Sequence, residues 1–202
     1  MTTRKLVPLS GVAAVALIVA GFMVGGETPS PDASASEVVD YYSDHDTALM
    51  TSAGLLGLGA FFFLVFSTTL AGLLRRAQGE TGGSSALAYA GGIAFAIGLT
   101  IFAGLGFTAA DVVGDLEPAA VQAISALGGD MFFTVAIGVG AFGIGAGIAA
   151  LKTGVLPKWL AWAAIVLGVI AITPVGFAGF ILLCPWTLIV SVLLSMRTAD
   201  TA

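Results

Sequence analysis

Residues Trp159–Met196 read WLAWAAIVLGVIAITPVGFAGFILLCPWTLIVSVLLSM, 38 positions without one charged side chain. A helix crosses the hydrocarbon core of a bilayer with about 20 apolar residues. The run is therefore too long for one crossing and just long enough for two short ones. Thr173-Pro174-Val175-Gly176 near its middle supplies the turn between them. The pattern is continuously apolar rather than alternating, and far longer than the roughly 10 residues of a membrane strand. Backbone groups in lipid must bond within their own segment, so the run is read as a pair of helices.

The same reading extends N-terminally. Leu6–Gly26, Thr47–Leu74, Thr81–Ala110 and Met131–Leu151 are charge-free runs of 21, 28, 30 and 21 residues. Each fits one crossing. The fold class expected is an all-α polytopic membrane bundle of six transmembrane helices, at about 6–26, 49–74, 85–109, 130–151, 158–173 and 178–196, forming one domain. The composition agrees: 9% of the 202 residues are charged and 58% hydrophobic, with a mean hydropathy of +1.05. A soluble domain carries about 25% charged residues.

Charge sets the orientation. Arg4, Lys5, Arg75, Arg76, Lys152, Lys158 and Arg197 all fall in alternate gaps between the runs. The positive-inside rule places those gaps, and with them both termini, in the cytoplasm. Ten of the twelve acids lie in the other gaps: Glu27, Asp32, Glu37, Asp40, Asp44, Asp46, Asp111, Asp115, Glu117 and Asp130. The outer face is thus expected to be acidic, and a net charge of -5 excludes nucleic acid as a partner. Arg4-Lys5 ahead of an apolar stretch also suits a signal peptide, with Ala33-Ser34-Ala35 as cleavage motif. That motif lies well beyond the apolar core, which itself exceeds a signal's ~7–15 residues, so an uncleaved first helix is favoured.

Two short outer helices are expected. In the 27–47 loop, Ser34 and Glu37 have capping-box spacing, which starts a helix over about 35–46. In the next outer loop Pro118 opens a second, over 118–127, which Gly128-Gly129 should end. A shift of 81 residues superposes the two loops with their flanking spans and aligns Gly57-Leu-Gly-Ala-Phe61 with Gly138-Val-Gly-Ala-Phe142, which suggests a parallel internal repeat.

Chemistry is sparse. Gly138-Val-Gly140-Ala-Phe-Gly143 has the dinucleotide-loop spacing, but that motif needs a strand before it and a soluble βαβ unit around it. In a span, Ala136, Gly140, Gly143, Gly147 and Ala150 form a smooth stripe for close helix packing instead. Asp44-His45-Asp46, beside Tyr41 and Tyr42, is the densest polar cluster. His45 and Asp46 with Asp111 and Asp130 are the weak candidates for metal ligands if the loops converge. Adjacent residues on a helix diverge, so a solvated acidic face is the favoured alternative. Lys152, Lys158, Trp159 and Trp162 read as an interfacial anchor, and Pro185 as a kink in the last helix. No cofactor is implied: no ionisable residue lies deep in a span, which argues against proton relays and pumps, and no HExxH or Ser-His-Asp pattern occurs.

The segment Glu37–His45 (EVVDYYSDH), the segment Leu156–Leu160 (LPKWL) before the fifth span and the overall hydropathy resemble a group of uncharacterised multi-pass membrane proteins common in actinobacteria. The resemblance implies a bacterial inner-membrane location and carries no activity. Three functions compete: a non-enzymatic accessory, sensory or assembly component, whose partners are the bilayer and a membrane protein or second copy; a channel or uncoupled carrier for a small neutral solute; and a metal-dependent enzyme of the outer face. A lined cavity open to one side is the observation that would separate them.

Overall fold

The computed structural model describes residues 7, 9–30, 32–79 and 83–200, the last four as backbone only. Within these residues the chain is all-helical: α1 (Ser10–Gly25), α2 (Ala35–Asp44), α3 (Asp46–Gln78), α4 (Gly83–Asp111), α5 (Pro118–Thr153), α6 (Lys158–Ala171) and α7 (Gly176–Asp200). Four of them, α3, α4, α5 and α7, are long and apolar enough to cross a membrane. The apolar α1 and α6 have 16 and 14 residues, about 24 and 21 Å at 1.5 Å per residue. Pro157 and the Thr173-Pro174 turn bound α6 on both sides.

Contacts between neighbours show how these helices alternate. Gly11 lies against Phe66 and Gly21 against Leu56, so α1 and α3 are antiparallel. Gly92 meets Ser67, Gly138 meets Phe95, Gly147 meets Ala161 and Gly179 meets Leu167, which carries the alternation through α4, α5, α6 and α7. Gly11 also faces Ser191, so the start of α1 lies beside the last turns of α7. All helix ends with Arg75, Arg76, Lys152 and Lys158 share one end of the bundle, and the described acids from Glu27 to Glu117 share the other. Arg4, Lys5 and Glu80 lie outside the described residues.

Helix α5 is the central element. It packs on α2, α3, α4, α6 and α7, and 56% of its most apolar window is buried against 39–44% for the other long helices. Around it Phe63, Phe66, Phe95, Phe142, Leu70, Leu74 and Leu99 are all 2% exposed or less. Trp186 crosses from α7 to α6, its indole N–H donating to the Leu160 carbonyl at 2.8 Å. Helix α7 continues through Pro185 without a break.

Two expectations need correction. Residues 118–127 are not a separate helix but the first turns of α5, and Gly128-Gly129 does not interrupt it. Gly128 is buried, with room beside it only for ordinary contact to Leu105, and Val121 is buried with Ala109 and Ala110 of α4. That packing outweighs the roughly 1 kcal/mol per glycine that helix propensity costs. The repeat register also differs. Phe61, the expected partner of Phe142 under a shift of 81, is 59% exposed while Phe142 is fully buried. Ile18 meets Gly59 and Phe95 meets Gly138, two contacts whose members are displaced by 77 and 79 residues rather than 81. Phe63 and Phe142 follow the second displacement and touch, with ring centroids 5.2 Å apart.

The predicted capping box forms at α2. Glu37 accepts from the Ser34 amide at 2.7 Å, and Ser34 Oγ accepts from the Glu37 amide at 3.4 Å. Bonds from the Ser34 amide and then its hydroxyl hold the Glu37 carboxyl below its ordinary 4.5. A depressed carboxyl stabilises the fold fully above that ordinary value and loses its contribution as pH falls through the folded value. Amide protection factors over residues 37–41 should therefore drop below pH 4.5 in the wild type. In Glu37→Ala they should start low and show no further step there.

Candidate functional site

The helices stop at different heights at the acidic end. Helix α1 ends at Gly25 and α7 begins at Gly176, while α3, α4 and α5 run on to Asp46, Asp111 and Pro118. The three long helices thus wall a space above the ends of the shorter ones. Gly26, at φ 66°, turns the chain out of α1 ahead of residues 27–30 and 32–33, which precede α2.

Helix α2 roofs this space because one of its faces is apolar. Val38 and Tyr42, each 3% exposed, pack on Leu49, Ala109, Ala110 and Val121. Three hydrogen bonds pin the roof and its leading loop. Tyr41 Oη donates to the Gly25 carbonyl at 3.1 Å. Gln122 Nε2 donates to the Ala33 carbonyl at 2.8 Å. Tyr42 Oη lies 3.3 Å from Ser125 Oγ. Burial, and then the neighbouring Tyr42, push the Tyr41 phenol up, so it stays protonated as a donor at neutral pH.

Beneath the roof lies a cavity of about 880 Å³, within the roughly 300–1,000 Å³ typical of small-molecule sites. Its floor is aromatic. Phe22, Phe102 and Phe132 line it, and Phe180 joins them from below, 5.6 Å from Phe22 and 5.5 Å from Phe132 between centroids. Ser52 and Leu56 of α3 complete the lower wall. The Ser52 hydroxyl is already committed to the Gly21 carbonyl at 2.8 Å. The exposed part of the lining, its mouth, mixes Glu27, Thr28, Ser30 and Asp130 with Gly26, Ala126, Gly129 and Phe177. No Lys, Arg or His is among the described lining residues.

The residues singled out from sequence fall elsewhere for the most part. His45 is exposed at the one-residue break between α2 and α3, stacked on Tyr41 at 4.7 Å, with Nδ1 2.9 Å from the Tyr41 carbonyl. The Asp46 carboxylate accepts from the Thr47 amide and hydroxyl. Asp111 is exposed at the end of α4, and Asp130 alone of the four lines the cavity. Among the described residues, no group of three or more His, Cys, Asp or Glu side chains is placed to hold a metal ion. In the helix-packing set, Ala136, Gly140, Gly143, Gly147 and Ala150 are all buried. Gly140, Gly143 and Gly147 lie against Gly168, Ala164 and Ala161 of α6.

The span hydroxyls do not converge on the cavity. Ser67, Thr68, Thr69, Thr100 and Thr134 each donate to a carbonyl three or four residues back in their own helix. Ser191 Oγ is buried without a partner, where Gly11 presses on it. The sequence pattern names Tyr42 only as part of the polar cluster and does not single out the phenylalanines of the floor or Gln122 and Ser125 of α5, which bond to the roof and its leading loop. A cue existed in Phe177 and Phe180, which share one face of α7 at helical spacing, but nothing local says which other helices that face meets. No family model, curated protein or solved structure matches the chain.

Proposed function

We propose that this chain is a six-span protein of a bacterial cytoplasmic membrane with both termini in the cytoplasm. In this reading it is a non-enzymatic binding component, accessory or sensory, whose ligand occupies the cavity at the acidic, outer end. The resemblance to the actinobacterial group and the segregation of basic from acidic ends support the location. The up-and-down alternation of six apolar helices supports six spans, with α1 and α6 crossing despite their length. A helix shorter than the hydrocarbon core is tolerated through local thinning and snorkelling flanks. Lys158 and Trp159 are exposed where α6 begins and suit such a flank.

The observation that carries the reading is that the cavity lining ends at a filled core. Below its phenylalanine floor the bundle axis is filled by Phe63, Phe66, Phe95, Phe142, Leu70 and Leu74. A conducting path needs polar groups along its length, whereas Ser67, Thr68, Thr69, Thr100 and Thr134 commit their hydroxyls to their own helices. Binding from one side is what such a shape does.

Cysteine accessibility tests this in a Cys184→Ala background. With an impermeant thiol reagent on intact cells, Ser34→Cys should label and Gly79→Cys should not. Ala53→Cys, in the cavity wall, should label from outside. Ser67→Cys, within the core, should stay unreactive from both sides. Inverted labelling of the first pair would overturn the topology. Labelling of Ser67→Cys would favour the channel, and an unreactive Ala53→Cys would remove the outward-facing cavity.

A further inference from the structure

Resting on that reading, we infer that the cavity takes a cationic amphiphile, an ammonium-type head on a single apolar chain. The argument starts from what the walls offer. The lower part presents Phe22, Leu56, Phe102 and Phe132, and its one nearby hydroxyl on α3, Ser52, is committed to Gly21. A polar ligand placed there would lose water and find few new bonds, which is costly. An alkyl chain loses nothing and gains area buried from water.

The head must then sit at the mouth, and the mouth selects its sign. Glu27 and Asp130 are the charged groups among the lining residues, and both are acids. The surrounding end adds Asp32, Glu37, Asp40, Asp44, Asp46, Asp111, Asp115 and Glu117. A cleft of one sign with low-dielectric walls concentrates counter-charged ligands. An anionic head would meet repulsion with no Lys, Arg or His among the described lining residues to offset it. A bare metal ion fits poorly, because no three-ligand group exists among the described residues, and it would leave the aromatic floor unused. Phe177, 54% exposed while lining the cavity, gives the mouth an apolar lip at the start of α7. That lip provides a path for a chain arriving from the outer leaflet.

The test is photolabelling of the full chain in nanodiscs with two probes of equal chain length. Each carries a diazirine on a dodecyl chain, and one has a trimethylammonium head where the other has a carboxylate. The cationic probe should crosslink at the cavity stretches, around Phe22, Phe102 and Phe132, at least tenfold more than the anionic one. Glu27→Gln combined with Asp130→Asn changes two exposed side chains at nearly constant shape. It should reduce cationic labelling there about tenfold without lowering thermal stability. Ala103→Trp, which fills the cavity from α4, should abolish labelling by either probe. Equal labelling by both probes, or full cationic labelling in the double variant, would overturn the inference. So would absence of both probes from the cavity. If Ala53→Cys still reacts from outside in that last case, the binding cavity stands and only the ligand class falls.

Discussion

Gly138→Ala should lower the melting temperature of the purified protein by about 6–12 °C. A Cβ built on Gly138 would lie 2.3 Å from the Phe95 nitrogen and 2.5 Å from its Cα. These are backbone atoms of α4, so no side-chain rotation relieves the clash. The same close approach recurs along the pair, at Gly91 against Phe142 and Ala141 and at Gly145 against Ala88 and Ser84. Helix association in lipid has no hydrophobic driving force between helices and depends on this kind of contact. Prying the two backbones apart forfeits dispersion along the whole interface, at a cost of about 3 kcal/mol. A chain of this size loses roughly 2–4 °C per kcal/mol. Gly104→Ala is the matched control in α4, because nothing lies within 4 Å of its added Cβ. It should be neutral or slightly stabilising, by up to about 1 kcal/mol from helix propensity. Equal behaviour of the two variants would refute the α4–α5 interface.

The contrast between these glycines marks the boundary of what could be read in advance. Composition and run length suffice for a helical membrane bundle, because the requirement that lipid imposes on backbone hydrogen bonds is local. The capping box at Ser34 and Glu37 was legible for the same reason, since both partners lie within one turn. Gly57 and Gly138 look alike in sequence, yet Gly57 has nothing within 4 Å and Gly138 touches a neighbouring backbone. Which glycine meets which helix depends on rotation about the helix axis. An all-round apolar helix with little asymmetry carries almost no information about that rotation. The cavity was hidden for a related reason. It arises where α1 and α7 end short of α3, α4 and α5, a difference in helix heights across the bundle. Its mouth residues Glu27 and Asp130 are 103 positions apart in the chain.

Phe142→Ala should be the most destabilising single truncation in the bundle, while Phe61→Ala should be close to silent. Phe142 is fully buried on the central helix, with Phe63, Phe66 and Trp186 at centroid distances of 5.2, 6.3 and 6.0 Å. Emptying that position leaves a void bounded by aromatic rings on three sides. The backbones of α4 and α5 are already in contact at Gly91 and Gly138 and cannot close further to fill it. Buried Phe→Ala changes cost about 3–5 kcal/mol when the site does not collapse. Phe61 is 59% exposed and its ring contact is with its chain neighbour Phe62, so its removal exchanges protein–lipid contact for lipid alone. Phe63→Ala decides the repeat register as well. If Phe63 is the structural counterpart of Phe142, its loss should be of similar size, and the double variant should cost less than the sum because the rings share one contact. Thermal melts of the three single variants and the double variant in one detergent would read this directly. A large effect at Phe61 with a small one at Phe63 would restore the 81-residue register and contradict the packing around α5.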